Sequence, residues 1–407
     1  MKLLLLASAS ILAFTGAANA EVIFGGNATL GYNDTDADST DEDDEGFFYD
    51  AELNLTLSQE LDNGVTAAAT FNIELVDGGE GDNGATGSDL GSADFVLSLT
   101  SENAGLFYGA TSFAAETYWN PAGDMAADNF SEADGETVIR AEVEYFGVQA
   151  GVSYVVADAG GDLISEDDDF NGGNGDSIDQ LSVGAAATVG MFTFSMGYQE
   201  ESDYNQGDNA NDEPAVFAGD REGDADAYDP NDENGDFDGD EVFGISAGFA
   251  FAGADLMVAY ASNETEETDG YGIEVSYPIG PVTVGAFYNT ENDDGDSDDD
   301  NDDAYGVAVD YTSGPIAVSA FYELIRSDDD DDADYAIEGS YDLGNGITVL
   351  AGASDAFEDY YVAGTYDLGG GATFLASYGD DGDNDAEDEI GDPEFKEGAT
   401  VEVSFSF

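Results

Sequence analysis

No cysteine and no histidine occur in the 407 residues, tryptophan occurs once, and lysine and arginine together number 5. Without cysteine there is no disulfide to hold the chain and no thiol to react. Without histidine as well, acid–base or covalent catalysis falls to carboxylates, Ser, Tyr and the few bases. Carboxylates are numerous enough for a glycosidase-like pair, yet nothing isolates two of them in a dry pocket, and an enzyme is not expected. So few bases cannot neutralise phosphates, which excludes nucleic acid as a partner. Nor does any apolar run reach the roughly 20 residues of a membrane-spanning helix.

Acid is what the chain has in excess: 93 Asp and Glu give a net charge of −88. The acids gather in runs at 36–45, 158–176, 200–241, 291–303, 328–334 and 380–392. Between the runs the chain is nearly uncharged and rich in Gly, Ala, Val, Phe and Tyr, so low-complexity acidic blocks punctuate an ordered framework. At the start, Lys2, the apolar stretch Leu3 to Phe14 and the small residues Ala18-Asn19-Ala20 read as a secretory signal peptide over 1–20. The mature chain is expected to be a single domain over 21–407.

The framework alternates with period two. In 271–277, Tyr271, Ile273, Val275 and Tyr277 share one face, and Gly272, Glu274 and Ser276 the other. The pattern returns at 305–311, 335–341 and 360–366, each followed by a tight Gly-containing turn and a second alternating strand. Nine such hairpins, with an opening strand over 22–32 and a closing one over 400–407, predict 20 strands. Turns are short on one side, while the connections on the other hold the acidic runs. That asymmetry, with strands near ten residues, predicts an all-β transmembrane antiparallel barrel set in outer-membrane lipid. A soluble two-sheet sandwich also alternates, but 20 regular strands exceed what it usually holds.

One stretch breaks the alternation. Thr111 to Glu136 carries the single Trp119, and Asn120-Pro121-Ala122-Gly123 interrupts any helix or strand across it. At 26 residues it is long for a loop. Phe113, Tyr118, Trp119, Met125 and Phe130 are apolar anchors, so it is expected to fold against something rather than trail in solvent.

The signal, the long interruption after the fifth strand, the turns of Tyr341-Asp342-Leu343-Gly344 type and the terminal Phe407 together resemble the general porins of Gram-negative bacteria, with alphaproteobacterial porins of the Rhodobacter type most similar. Family porins usually have 16 strands. The count of 20 means that two hairpins have been added or that the parse divides strands too freely. The resemblance implies a water-filled, passive channel for small hydrophilic solutes and a homotrimer, with the 111–136 loop folded into the lumen as a constriction. It places Glu116, Trp119, Asp124 and Asp128 on that loop, facing Arg140, Glu142 and Glu144 on the sixth strand. Family constrictions set a basic cluster against loop acids. Here Arg140 alone is well placed as such a base.

Parity assigns Asp50, Glu52, Glu74, Asp94, Glu274, Asp310, Glu338 and Glu402 to the inner wall. Carboxylate-lined pores favour cations, so a cation-preferring channel is expected. No cofactor is required. One acidic stretch, Asp232, Asn234, Asp236, Asp238 and Asp240, has oxygens at alternate positions with Gly239 among them, like the first half of a calcium loop, although Ile245 stands where the bidentate Glu belongs. It supports a second reading, a calcium-dependent structural or adhesive surface barrel with little conductance.

Overall fold

The computed structural model describes residues 20–34, 46–78, 93–123, 125–131, 136–157, 177–202, 239–293, 303–326, 331–354, 359–380 and 395–407. Of the signal peptide read over 1–20, residues 1–19 lie outside them. The strands are β1 (Ala20–Asp34), β2 (Gly46–Glu60), β3 (Thr66–Gly78), β4 (Ala93–Thr100), β5 (Ala104–Gly109), β6 (Val138–Tyr145), β7 (Val148–Ala157), β8 (Ser177–Val189), β9 (Phe192–Gln199) and β10 (Val242–Phe251). They continue with β11 (Ala254–Asn263), β12 (Thr268–Ile279), β13 (Val282–Asp293), β14 (Asp303–Ser313), β15 (Ile316–Arg326), β16 (Asp331–Gly344), β17 (Ile347–Ser354), β18 (Asp359–Gly369), β19 (Ala372–Asp380) and β20 (Gly398–Ser406).

All belong to one 20-stranded sheet in which each strand pairs antiparallel with its sequence neighbours. β1 pairs with β20 as well as β2, from Asn27↔Ser406 to Asp34↔Ala399, and this closes the barrel. Twenty strands, not 16, is therefore the number. Closure leaves no open sheet edge, as hydrocarbon requires.

Which face points outward follows from exposure. On β12 the side chains of Tyr271, Ile273, Val275 and Tyr277 are exposed while Gly272 between them is buried. Val307 and Val309 on β14 are exposed likewise, as are Tyr360 and Val362 on β18 to either side of the buried Tyr361. Each large apolar side chain left in water forgoes about 1.5–3 kcal/mol of burial. A belt of them around the whole barrel is stable only against lipid. The nine tight turns supply the other regularity. In Asp342-Leu343-Gly344 and Asp367-Leu368-Gly369 the Asp Oδ1 accepts the Gly N–H at 2.7 Å in both cases, an Asx turn beside a register shift. Asn345 and Gly346 follow at φ 57° and 82°, the left-handed pair that a two-residue hairpin needs.

Buried apolar residues gather on one loop and on the strand positions that it covers, Val242 and Ala261 among them. Phe113, Ala114, Ala115, Ala122, Met125 and Phe130 all belong to the chain between β5 and β6. The barrel's core is a loop inside it.

Candidate functional site

The loop builds its own scaffold first. Gly109, at φ 120°, turns the chain off β5, and Ala114–Tyr118 form one helical turn, α1. The Glu116 carboxylate folds back to accept the Phe113 N–H at 2.9 Å, and Thr117 Oγ1 donates to the Phe113 carbonyl at 2.7 Å. Trp119, extended at ψ 147°, ends the turn, and Pro121 keeps Asn120 out of the helical region as well. Beyond it, Trp119 Nε1 donates to Asp128 Oδ2 at 2.6 Å, across a single 3-10 turn at Ala126–Asp128, and the indole lies 5.9 Å from the Phe130 ring.

The wall then receives this scaffold. Six loop N–H groups each find a side-chain acceptor on an inward-facing strand position. Ala114 donates to Ser153 Oγ of β7 and Ala115 to Ser182 Oγ of β8, both at 2.8 Å. Asn120 donates to Ser195 Oγ of β9 at 3.1 Å, and Ser131 to Gln199 Oε1 of β9 at 2.8 Å. Gly123 donates to Glu274 Oε2 of β12 at 3.3 Å, and Ala127 to Glu291 Oε1 of β13 at 3.0 Å. Buried amides without such partners cost about 1–3 kcal/mol each, so these acceptors hold the loop to the wall from β7 to β13. Glycine makes the close approach feasible: a Cβ on Gly184 would collide with the Ala114 carbonyl, and one on Gly244 would stand 2.8 Å from the Trp119 ring.

Arg140 lies inward on β6, as parity predicts, but it is engaged by the loop. Its Nη1 donates to the Ser112 carbonyl at 2.9 Å and to Thr117 Oγ1 at 2.7 Å, its Nη2 lies 3.8 Å from Glu142, and its guanidinium sits 5.1 Å from the Phe107 ring centroid. Glu142 also accepts the Tyr118 hydroxyl, at 3.5 Å. Burial, and then the Glu142 charge, push the Tyr118 hydroxyl above its ordinary 10.0. Glu144, next along the inward face, lines a recess of about 390 Å³ beneath the loop with Tyr118, Asn120, Gln149, Thr193 and Ser195. A neighbouring recess of about 290 Å³ shares Asn120, Thr193 and Met257 with it and adds Asp255, Glu274 and Ser276.

The remaining wall residues fall where alternation puts them. Asp50 and Glu52 lie on the inward face of β2, opposite the outward Phe47, and Glu52 pairs in register with Glu74 of β3. Asp310 and Glu338 are brought to one level through Ser319 between them, and all three line a recess of about 300 Å³. Glu402 of β20 is inward, opposite Gly31 of β1. Asp124 lies outside the described residues, as do Asp232, Asn234, Asp236 and Asp238. Asp240 is described, and its Oδ2 accepts Asn263 Nδ2 at 2.7 Å. Sequence reasoning missed Glu291, the wall serines and Lys396. Glu291 lies in the inward set of β13 with Asn289 and was legible by parity; the serines look like any small inward residue.

A closed barrel with an apolar outer belt, short turns on one rim and a loop docked against its inner wall invites comparison with known channels. The profile of the Gram-negative porin family matches residues 7–359. The chain belongs to that family. This porin is therefore an outer-membrane channel for passive diffusion. Among solved structures it is similar to an engineered double-tryptophan variant of Rh. blastica porin, at 14% identity and a TM-score of 0.44, covering 95% of this chain and 100% of that one. It is also similar to a triple mutant of Rhodopseudomonas blastica porin, at 13% identity, a TM-score of 0.40 and the same coverage. A search of curated proteins found no match.

Proposed function

We propose that this porin is a cation-preferring channel for small hydrophilic solutes, working as a homotrimer after removal of residues 1–20, with the 111–136 loop as its constriction. The observation that carries the charge preference is the imbalance on the inner wall. Asp50, Glu52, Glu144, Glu274, Asp310, Glu338 and Glu402 all occupy inward positions. The described bases are Arg140, Arg326 and Lys396. Arg140 is bound to the loop, and Arg326 lies against the ring of the outward-facing Tyr305, 5.3 Å from its centroid. Carboxylates in excess along a wet passage raise the local cation concentration and repel anions. The constriction reading is supported by the six wall-to-loop hydrogen bonds, which keep the loop within the lumen and narrow it.

The test is the reversal potential of the refolded full-length protein in a planar bilayer under a KCl gradient. A potential near that of a K⁺-selective pathway is expected. A potential of the opposite sign would overturn the charge assignment, and an absence of current from folded barrels would overturn the channel itself.

A further inference from the structure

A second segment turns into the barrel. Phe395, between β19 and β20, is 4% exposed, and its ring lies 4.6 Å from that of Tyr361, on the inward face of β18. Leu350 of β17 and Leu375 of β19, inward by register, pack against the pair. Two residues on, Glu397 bridges to Gly379 of β19, and its carbonyl accepts Asn33 Nδ2 of β1 at 2.9 Å. Asn33 Oδ1 in turn accepts Thr400 Oγ1 at 3.0 Å. Asn33 and Thr400 are 1% and 4% exposed, so this is a built anchor rather than a surface contact.

Between the two anchors stands Lys396. Its Nζ lies 5.6 Å from the ring centroid of Phe48, which is inward on β2 and covers Gly31 of β1. Its charge also reaches the inward Glu402 of β20. The three residues are thus fastened along the inner wall from β18 round to β2.

Strand order fixes which wall this occupies relative to the loop. The 111–136 loop docks from β7 to β13, centred on β10, and Phe395–Glu397 docks from β18 to β2, centred on β20. In a closed ring of 20 strands these centres are on opposite walls. We propose that Phe395–Glu397 is a second constricting element that faces the loop across the lumen, and that Lys396 on it restrains the cation preference set by the acidic wall. This rests on the channel reading above.

Single-channel recording of full-length barrels carrying Lys396→Gln and Lys396→Glu tests it. One unit charge about 8 Å from the permeation path in water changes the local concentration of each ion about twofold. The K⁺-over-Cl⁻ permeability ratio is therefore expected to rise about two- to fivefold in Lys396→Gln and further in Lys396→Glu, with Lys396→Arg unchanged. Phe395→Ala, which removes the anchor, is expected to raise conductance. Because the chain lacks cysteine, Lys396→Cys offers a check in one folded protein: a cationic thiosulfonate should restore the original ratio and an anionic one should move it the other way. Conducting channels whose selectivity ignores position 396 and whose conductance ignores Phe395→Ala would sink this inference alone. An unmodified protein that carries no current would sink the channel reading, and this inference with it.

Discussion

A base on the wall of a pore keeps its charge whatever its hydrogen bonds, but those bonds can give it a second task, and Arg140 has one. Parity put it in the lumen beside Glu142 and Glu144, and it is there. Its forked donors are spent on the Ser112 carbonyl and Thr117 Oγ1, with Glu142 within 3.8 Å, so it also pins one end of the loop. Glu116 is likewise engaged within the loop, since its carboxylate is turned onto the N–H of Phe113, the residue that caps α1. Removing the guanidinium in Arg140→Ala leaves a carbonyl and a hydroxyl without their donor, at about 1–3 kcal/mol each where they stay dry. The docked loop is expected to loosen while the strands persist. Trp119, the single tryptophan, reports this directly: its fluorescence should shift to the red and open-channel current noise should rise. Unchanged emission and current would show that Arg140 does not hold the loop.

At the scale of elements, the lumen contains a loop matched to the strands behind it. The match has two parts, acceptors where the loop presents amides and glycines where it presses closest. Gly184 combines both constraints, lying two residues along β8 from Ser182 and directly under Ala114. Gly184→Val is expected to displace α1 and raise single-channel conductance, with barrel strand content by circular dichroism unaltered. A conductance equal to that of the unsubstituted protein would mean that the loop does not set the narrowest section. This match also marks where sequence reading stopped. The aromatic anchors and broken alternation of 111–136 told that the loop packs against something, because apolar side chains need a surface. They did not tell which strands, because a Ser or Gly at an inward position carries no sign of its partner. Phe395 and Lys396 were hidden for a different reason: they follow an acidic run, and in such company one aromatic and one base read as part of a solvated connection.

For the whole molecule, the sequence was far more legible. Lipid outside and water inside impose opposite demands on successive residues, so alternation marks most spanning segments even though β-bulges shift the register in four strand pairs. The nine turns stand out because each needs Gly or a short polar pair. The count of 20 strands, the pairing order and the inward set Asp50, Glu52, Glu274, Asp310 and Glu338 all follow from those two signals. The resulting electrostatics have a simple signature. With a Debye length of about 10 Å at 0.1 M salt and about 30 Å at 0.01 M, the wall's field fills more of the passage as salt is diluted. Conductance measured from 0.01 to 1 M KCl is expected to fall less than in proportion to concentration, because the carboxylates retain K⁺. Strict proportionality would argue against a charged lumen.

The seam of the barrel joins strands that are far apart in the chain. Gly26 and Phe407 exchange both backbone hydrogen bonds, at 2.8 and 2.9 Å, joining the first strand to the last residue. Without β20, β1 is paired with β2 alone and its other edge is open. Open edges pair readily with other chains. Closure thus requires the whole set of strands, and loss of the final one would leave a ribbon of 19 strands with two open edges rather than a smaller pore.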